Sequence, residues 1–142
     1  MQFRPLVQSL CQRPGMYVNP ATFGSVCAYL AGFDAARDGG PLCGFREWLI
    51  VRANRGNNLV WEGLADLILQ EESTSTEAER IRGLGQLIEE YLQYREENGL
   101  EKVYHDYARW LLRHRWYHGP LRRQPEGSAG SSAQEENHNE TP

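Results

Sequence analysis

The sequence has little lysine, little cysteine and no long hydrophobic run. Its one lysine, Lys102, stands against fourteen arginines, a bias typical of a GC-rich genome. The three cysteines are odd in number and sixteen residues apart, a spacing that fits neither a disulfide framework nor a zinc site. We therefore expect reduced thiols, a cytoplasmic location, and no cofactor or metal.

No apolar run approaches the roughly 18 to 20 residues that a membrane-spanning helix needs, and no basic and apolar signal stands at the N-terminus. These absences predict a protein that is neither membrane-spanning nor secreted by that route. The net charge of −4 argues against a general nucleic-acid binder, so nucleic acid is an unlikely partner. A chain of 142 residues is long enough to bury one self-sufficient core.

Apolar residues recur at helical spacing and predict an all-α fold, a single-domain bundle of five or six helices. The helical domain is expected over residues 1–120, followed by a disordered polar tail over residues 121–142. A Pro14-Gly15 turn should precede a helix capped by Asn19 or Thr22. Further helices are expected over 5–12, over 45–54, around 61–68, over 76–98, and from residue 100 to about 119.

A stripe of small residues marks the second predicted helix, namely Gly24, Ala28, Gly32 and Ala36. Small side chains at this spacing allow another helix to approach closely. We therefore predict that this helix lies at the centre of the bundle and that the stripe is a packing groove. A ligand slot is the alternative.

Charge is unevenly distributed along the chain. Residues 62–101 contain eleven acidic and three basic residues, whereas residues 102–123 contain six basic and one acidic. The acidic helix could bind a basic partner through four glutamates, Glu89, Glu90, Glu96 and Glu97. Alternatively, these acids form a solvated face and pair with Arg80, Arg82 and Arg95 or with the basic last helix.

The basic region mixes Arg109, Arg113 and Arg115 with aromatic residues. This mixture could bind single-stranded nucleic acid, although Trp110 could equally belong to the core. His114 and His118 are four residues apart, but a zinc site needs further ligands. No metal site is expected here.

No nucleophile, acid–base pair or phosphate-binding loop is evident, so we expect no catalytic residues and no enzyme. The cysteines lie on or near apolar stripes, where thiols are inert. Five residues could still line a polar pocket for a small molecule, namely Arg13, Tyr17, Glu47, Trp48 and Trp61.

Four strings carry a resemblance that spans most of the predicted helical domain: RPGMY at 13–17, GFREWL at 44–49, NNLVW at 57–61 and YHDYARWL at 104–111. The chain resembles a group of small uncharacterised helical proteins of GC-rich actinobacteria, some of which are similar to immunity proteins of polymorphic toxin systems. The resemblance implies a basic protein partner, a toxin, whose active surface the chain would cover. A nucleic-acid-associated regulator and a small-molecule-binding protein are the alternatives.

Overall fold

The computed structural model describes residues 2–72 and 76–114. Over these residues the chain forms six α-helices and no strand, which confirms the all-α prediction. The helices are α1 (Phe3–Gln12), α2 (Phe23–Ala36), α3 (Phe45–Ala53), α4 (Trp61–Glu71), α5 (Glu77–Asn98) and α6 (Leu100–His114). The predicted tail over 121–142 and the end of the last predicted helix lie outside the described residues.

Two threonines begin helices as the sequence suggests. The Oγ1 atom of Thr22 accepts a hydrogen bond from the backbone N–H of Ser25 at 3.2 Å, and Thr76 does the same for Glu79. Each hydroxyl therefore satisfies an amide that the first helical turn leaves unpaired. Of the two caps proposed for α2, Thr22 is the one used.

Helix α5 is the centre of the bundle, because it packs against each of the other five helices. Its buried side recurs at helical spacing and supplies much of the core through Ile81, Leu84, Leu87, Ile88, Tyr91 and Leu92. Helix α2 instead packs at one side, against α1 and α5. The prediction that α2 is central was wrong.

The small-residue stripe of α2 faces solvent. Gly24, Ala28, Gly32 and Ala36 are all exposed, and a Cβ added at Gly24 or Gly32 would meet nothing within 4 Å. Close helix contact occurs instead on α5, where a Cβ at Gly83 would lie 2.5 Å from Leu69 Cδ2. The predicted packing groove therefore belongs to another helix.

Hydrogen bonds from two residues of α6 hold the loop between α3 and α4. Trp110, 1% exposed, donates its indole N–H to the Asn54 side chain at 2.9 Å, and the Tyr107 hydroxyl donates to the side chain of Asn57. Helix α4 itself follows Val60, and no side chain caps its first turn. These asparagine contacts fix α6 beside α3, where the two helices form a groove.

An aromatic cluster closes the other end of α3. Phe45 is fully buried, and its ring lies 5.3 to 6.2 Å from the rings of Trp48, Trp61 and Tyr91. The Tyr91 hydroxyl donates to the Cys43 carbonyl, and burial raises the pKa of this phenol to about 12. The contact leaves no room for a side chain at Gly44, because a Cβ there would lie 2.6 Å from the hydroxyl oxygen.

Candidate functional surfaces

The four predicted glutamates lie on one broad side of α5. Glu89 and Glu96 are seven residues apart, as are Glu90 and Glu97, so at 100° per residue the four span about 120° of the helix. Their side chains reach solvent: the exposed fractions are 43% for Glu89, 62% for Glu96 and 50% for Glu90. We call these four residues the acidic face.

Arg4 of α1 binds two members of the acidic face. Its Nε lies 2.9 Å from Oε2 of Glu89, and its Nη1 lies 2.7 Å from Oε1 of Glu96. The hydrogen bond with Glu96, and then that with Glu89, raises the pKa of Arg4 against the opposing effect of burial. One guanidinium therefore holds two carboxylates in place.

Arg52 of α3 binds the other edge of the acidic face. It contacts Glu90, and its Nη2 lies 3.3 Å from the carboxylate of Glu72, which follows α4. Glu97 accepts a hydrogen bond from Gln93 at 3.0 Å. Arg4 and Arg52 thus bind three of the four members of the acidic face. The four carboxylates and the two arginines together carry a formal charge of −2.

Two of the three arginines proposed as partners of these acids make other contacts. Arg80 pairs with Asp66 and Glu77, and Arg95 donates to the backbone carbonyls of Gly40, Pro41 and Cys43. The pairing interpretation was therefore right about the kind of contact and wrong about which arginines make it.

A groove runs between α3 and α6 and contains two adjoining hollows. The first, of about 210 Å³, is lined by Trp48, Val51, Arg52, Tyr94, Val103 and Asp106. The second, of about 230 Å³, is lined by Val51, Asp106, Arg109 and Arg113. Val51 and Asp106 belong to both, so the hollows form one continuous groove, which we call the α3–α6 groove.

Asp106 is held at the middle of this groove. It accepts hydrogen bonds from Lys102 Nζ at 2.6 Å and from the Tyr94 hydroxyl. Burial raises the pKa of Asp106, but the bonds from Lys102 and Tyr94 outweigh that effect and lower it. The same bond to Asp106, with burial, raises the pKa of Tyr94 to about 12.

None of the hollows found within residues 2–72 and 76–114 is lined by more than one of the five residues of the suggested polar pocket. Trp48 lines the α3–α6 groove without the other four, and Trp61 packs on Phe45. Tyr17 lies against Tyr29 with ring centroids 5.9 Å apart, and Arg13 ends α1. Glu47 has Arg46 as its nearest cation at 4.0 Å.

Of the basic patch, Arg109 and Arg113 lie in the α3–α6 groove, whereas Arg115 lies outside the described residues. The ring of His114 stacks on Trp110 at 4.3 Å between centroids. Across residues 2–72 and 76–114, no cluster of three or more histidine, cysteine or acidic side chains could bind a metal ion. No helix in that same part of the chain has the length and apolar character to cross a membrane.

The cysteines are unpaired. Burial raises the pKa of Cys11 to about 11 and that of Cys27 to about 12. Both thiols therefore stay protonated at neutral pH, where a nucleophile would need the thiolate.

Comparison with known proteins gives no match: no family model fits the chain, and no similar chain is found among curated proteins or solved structures. The function is therefore inferred from the two surfaces just described.

Sequence patterns missed the residues that organise these surfaces. Arg4 precedes Glu89 by 85 residues and Arg52 precedes Glu90 by 38, so no local spacing links them. Lys102 and Asp106 are four residues apart within α6, a spacing typical of helical ion pairs. That pair, like Gln93 and Glu97 in α5, is a contact that the sequence could have revealed.

Proposed function

We propose that the chain is a non-catalytic protein-binding module that docks on a basic partner through the acidic face of α5. The observation that supports this most directly is the incomplete neutralisation of that face. Arg4 and Arg52 hold Glu89, Glu90 and Glu96, yet a formal charge of −2 remains.

The two arginines orient the carboxylates as well as pairing with them. Arg4 contacts Oε2 of Glu89 and Oε1 of Glu96, and each carboxylate has a second oxygen with lone pairs for a donor of the partner. Side chains already held in position lose less conformational entropy on binding. A preorganised face of this kind suits fast, salt-sensitive association with a positively charged surface.

The most concrete form of this proposal is an immunity protein in the cytoplasm. A toxin that acts on nucleic acid needs a basic surface for phosphates, and the acidic face would cover that surface. The immunity role rests on the resemblance of the chain to actinobacterial proteins, some of which are similar to immunity proteins.

The test compares a charge-reversed acidic face with a matched control. Glu90→Lys/Glu97→Lys changes two members of the face, whereas Glu62→Lys/Glu101→Lys makes the same change of net charge on α4 and α6. Each protein is used to capture partners from the lysate of its native cell at low and high salt. We expect one basic protein that the wild type and the control capture at low salt, and at least tenfold less of it with the face variant.

The captured protein is then expressed alone and with each variant. Growth arrest by that protein, relieved by the wild type and the control but not by the face variant, is the expected result. Equal protection by all three proteins would contradict the proposal, provided that their thermal unfolding is unchanged. Equal loss in both double variants would show an effect of net charge alone and would also contradict it.

A further inference from the structure

We propose that the α3–α6 groove is a second binding site, for an acidic peptide segment of a partner protein. An apolar side chain of the peptide would occupy the hollow beside Trp48, and its carboxylates would bind Arg109 and Arg113. This inference does not rest on the acidic face, which has the opposite charge, although the two surfaces share Arg52: it contacts Glu90 and also lines the hollow beside Trp48.

The basic end of the groove is available for an anion. Arg109 and Arg113 are exposed and one helical turn apart, and within residues 2–72 and 76–114 neither side chain makes an ion pair or a hydrogen bond. Guanidinium groups bind carboxylates through paired N–H donors. Two arginines one turn apart match two neighbouring carboxylates.

Asp106 is the acidic group in the groove, and its charge is already compensated. Lys102 and Tyr94 donate to its two oxygens. Because its own partners hold it, Asp106 does not neutralise Arg109 or Arg113. It separates the basic hollow from the hollow beside Trp48, since it lines both.

The other hollow is formed mainly by apolar groups. Val51 and Val103 form its walls with the ring of Trp48, which is stacked on Phe45 at 6.2 Å. The guanidinium of Arg52 lies 5.4 Å from the centre of the Trp48 ring. These two contacts hold the ring in place, and a leucine-sized side chain could bury apolar surface against Val51 and Val103 in the rest of the hollow.

The spacing of the two hollows predicts the spacing of the peptide motif. The first is lined on α6 by residues 103 and 106 and the second by 106, 109 and 113, so their centres are about 7 Å apart along the helix axis at 1.5 Å per residue. An extended peptide advances about 3.3 Å per residue. The preferred ligand should thus carry its apolar residue two or three positions from a pair of acidic residues.

A peptide fits this groove better than a nucleic acid does. Two unpaired arginines suffice for a pair of carboxylates, whereas single-stranded nucleic acid is held by a basic track along its backbone and aromatic rings with free faces. Here Trp48 has its ring against Phe45 and Arg52. The groove therefore offers one apolar hollow beside one basic hollow.

The test measures fluorescence anisotropy of a labelled twelve-residue peptide that contains Leu-Gly-Glu-Glu within a Gly-Ser background. We expect binding to the full chain that weakens at least tenfold with Arg109→Gln/Arg113→Gln. The matched control is Arg13→Gln/Arg82→Gln, which removes two exposed arginines elsewhere and should bind as the wild type does. A peptide with glutamines for the glutamates, or alanine for the leucine, should bind at least fivefold more weakly.

Equal weakening by the groove variant and the control would overturn the proposal, because it would show attraction to net charge alone. Tighter binding of a single-stranded oligonucleotide of matched length, lost with Arg109→Gln/Arg113→Gln, would also overturn it and indicate nucleic acid. A third contrary result concerns the chain's own acidic residues Glu126, Glu135, Glu136 and Glu140. If the peptide binds only after all four are changed to glutamine, the chain's own acidic segment is the occupant of the groove, and not a partner protein.

Discussion

The compositions of α2 and α5 suggest that α2 lies at the centre of the bundle and α5 at its side, but the arrangement is the reverse. Helix α2 is rich in alanine, glycine and aromatic residues, whereas α5 carries nine acidic and basic residues among its 22. Yet α5 contacts every other helix and α2 lies at one side. Position in the bundle therefore follows from how apolar residues are spaced around a helix and not from how many there are.

The two helices also differ in what their glycines do. Gly32 of α2 has open space around it, whereas Gly83 and Gly85 of α5 face Leu69 and Cys11. The same residue type is a surface feature on one helix and a packing requirement on the other. Substitutions at these positions therefore test whether α2 and α5 differ in packing as described.

Leu84→Ala on α5 should have the largest effect. Leu84 is fully buried, and the loss of a buried leucine leaves a cavity and lowers the free energy of unfolding by about 2–5 kcal/mol. Ala28→Ser, on the exposed side of α2, should change it by less than about 0.5 kcal/mol. Urea unfolding followed by circular dichroism measures both, and similar values for the two would contradict the assignment of α5 as the centre.

Gly83→Ala should destabilise the protein although alanine favours helix formation. The new Cβ would lie 2.5 Å from Leu69 Cδ2, and Leu69 is only 1% exposed, so its side chain has nowhere to move. Such overpacking costs about 1–3 kcal/mol of unfolding free energy. A higher midpoint of urea unfolding for this variant would show that α4 and α5 are further apart than described.

Alkaline pH should weaken the contacts of α5 with its neighbours. The pKa of Tyr91 is raised to about 12 by burial, and that of Tyr94 to about 12 by its bond to Asp106, while an unfolded tyrosine titrates near pH 10. The two protonated hydroxyls therefore make their full contribution to the free energy of unfolding below pH 10, and this contribution is lost as the pH rises towards 12.

Urea unfolding at pH 9 and at pH 11.5 tests this prediction. The wild type should lose more unfolding free energy between the two values than Tyr94→Phe does, because the variant has one fewer group to deprotonate. Identical losses would show that the Tyr94 bond to Asp106 does not persist in solution.

Gly32→Ala on α2 should have a small effect of the opposite sign, an increase in stability. Nothing lies within 4 Å of the added Cβ, so the variant keeps the packing and gains helix propensity, about 0.5–1 kcal/mol. A modest rise in the thermal midpoint is expected. A lower thermal midpoint would instead support the interpretation of this stripe as a packing groove.

Much of the fold could be predicted because helical periodicity and caps are local signals. The predicted helices over 45–54 and around 61–68 correspond to α3 and α4, and Trp110, which could belong to the core by its position, is 1% exposed. Which helix lies at the centre could not be predicted, since that depends on contacts between distant segments. Small residues indicate that close packing is possible without saying that it occurs.

The candidate surfaces were only partly predictable for the same reason. The positions of four glutamates on one helix follow from the sequence, and so does the basic character of Arg109 and Arg113. The arginines that hold the glutamates come from α1 and α3, and the groove beside Trp48 exists because α6 returns against α3. Neither fact has a signature within a short window of sequence.

The junction between α5 and α6 limits how the sequence can change in length. Gly99 alone separates these helices, and its φ of 82° is one that side chains rarely adopt. An inserted residue must lengthen this link or enter a helix, where it turns everything beyond it by about 100°. Such a turn would move Trp110 out of the core and Arg109 and Arg113 out of the groove, so insertions and deletions should be tolerated far less here than substitutions on the exposed side of α2.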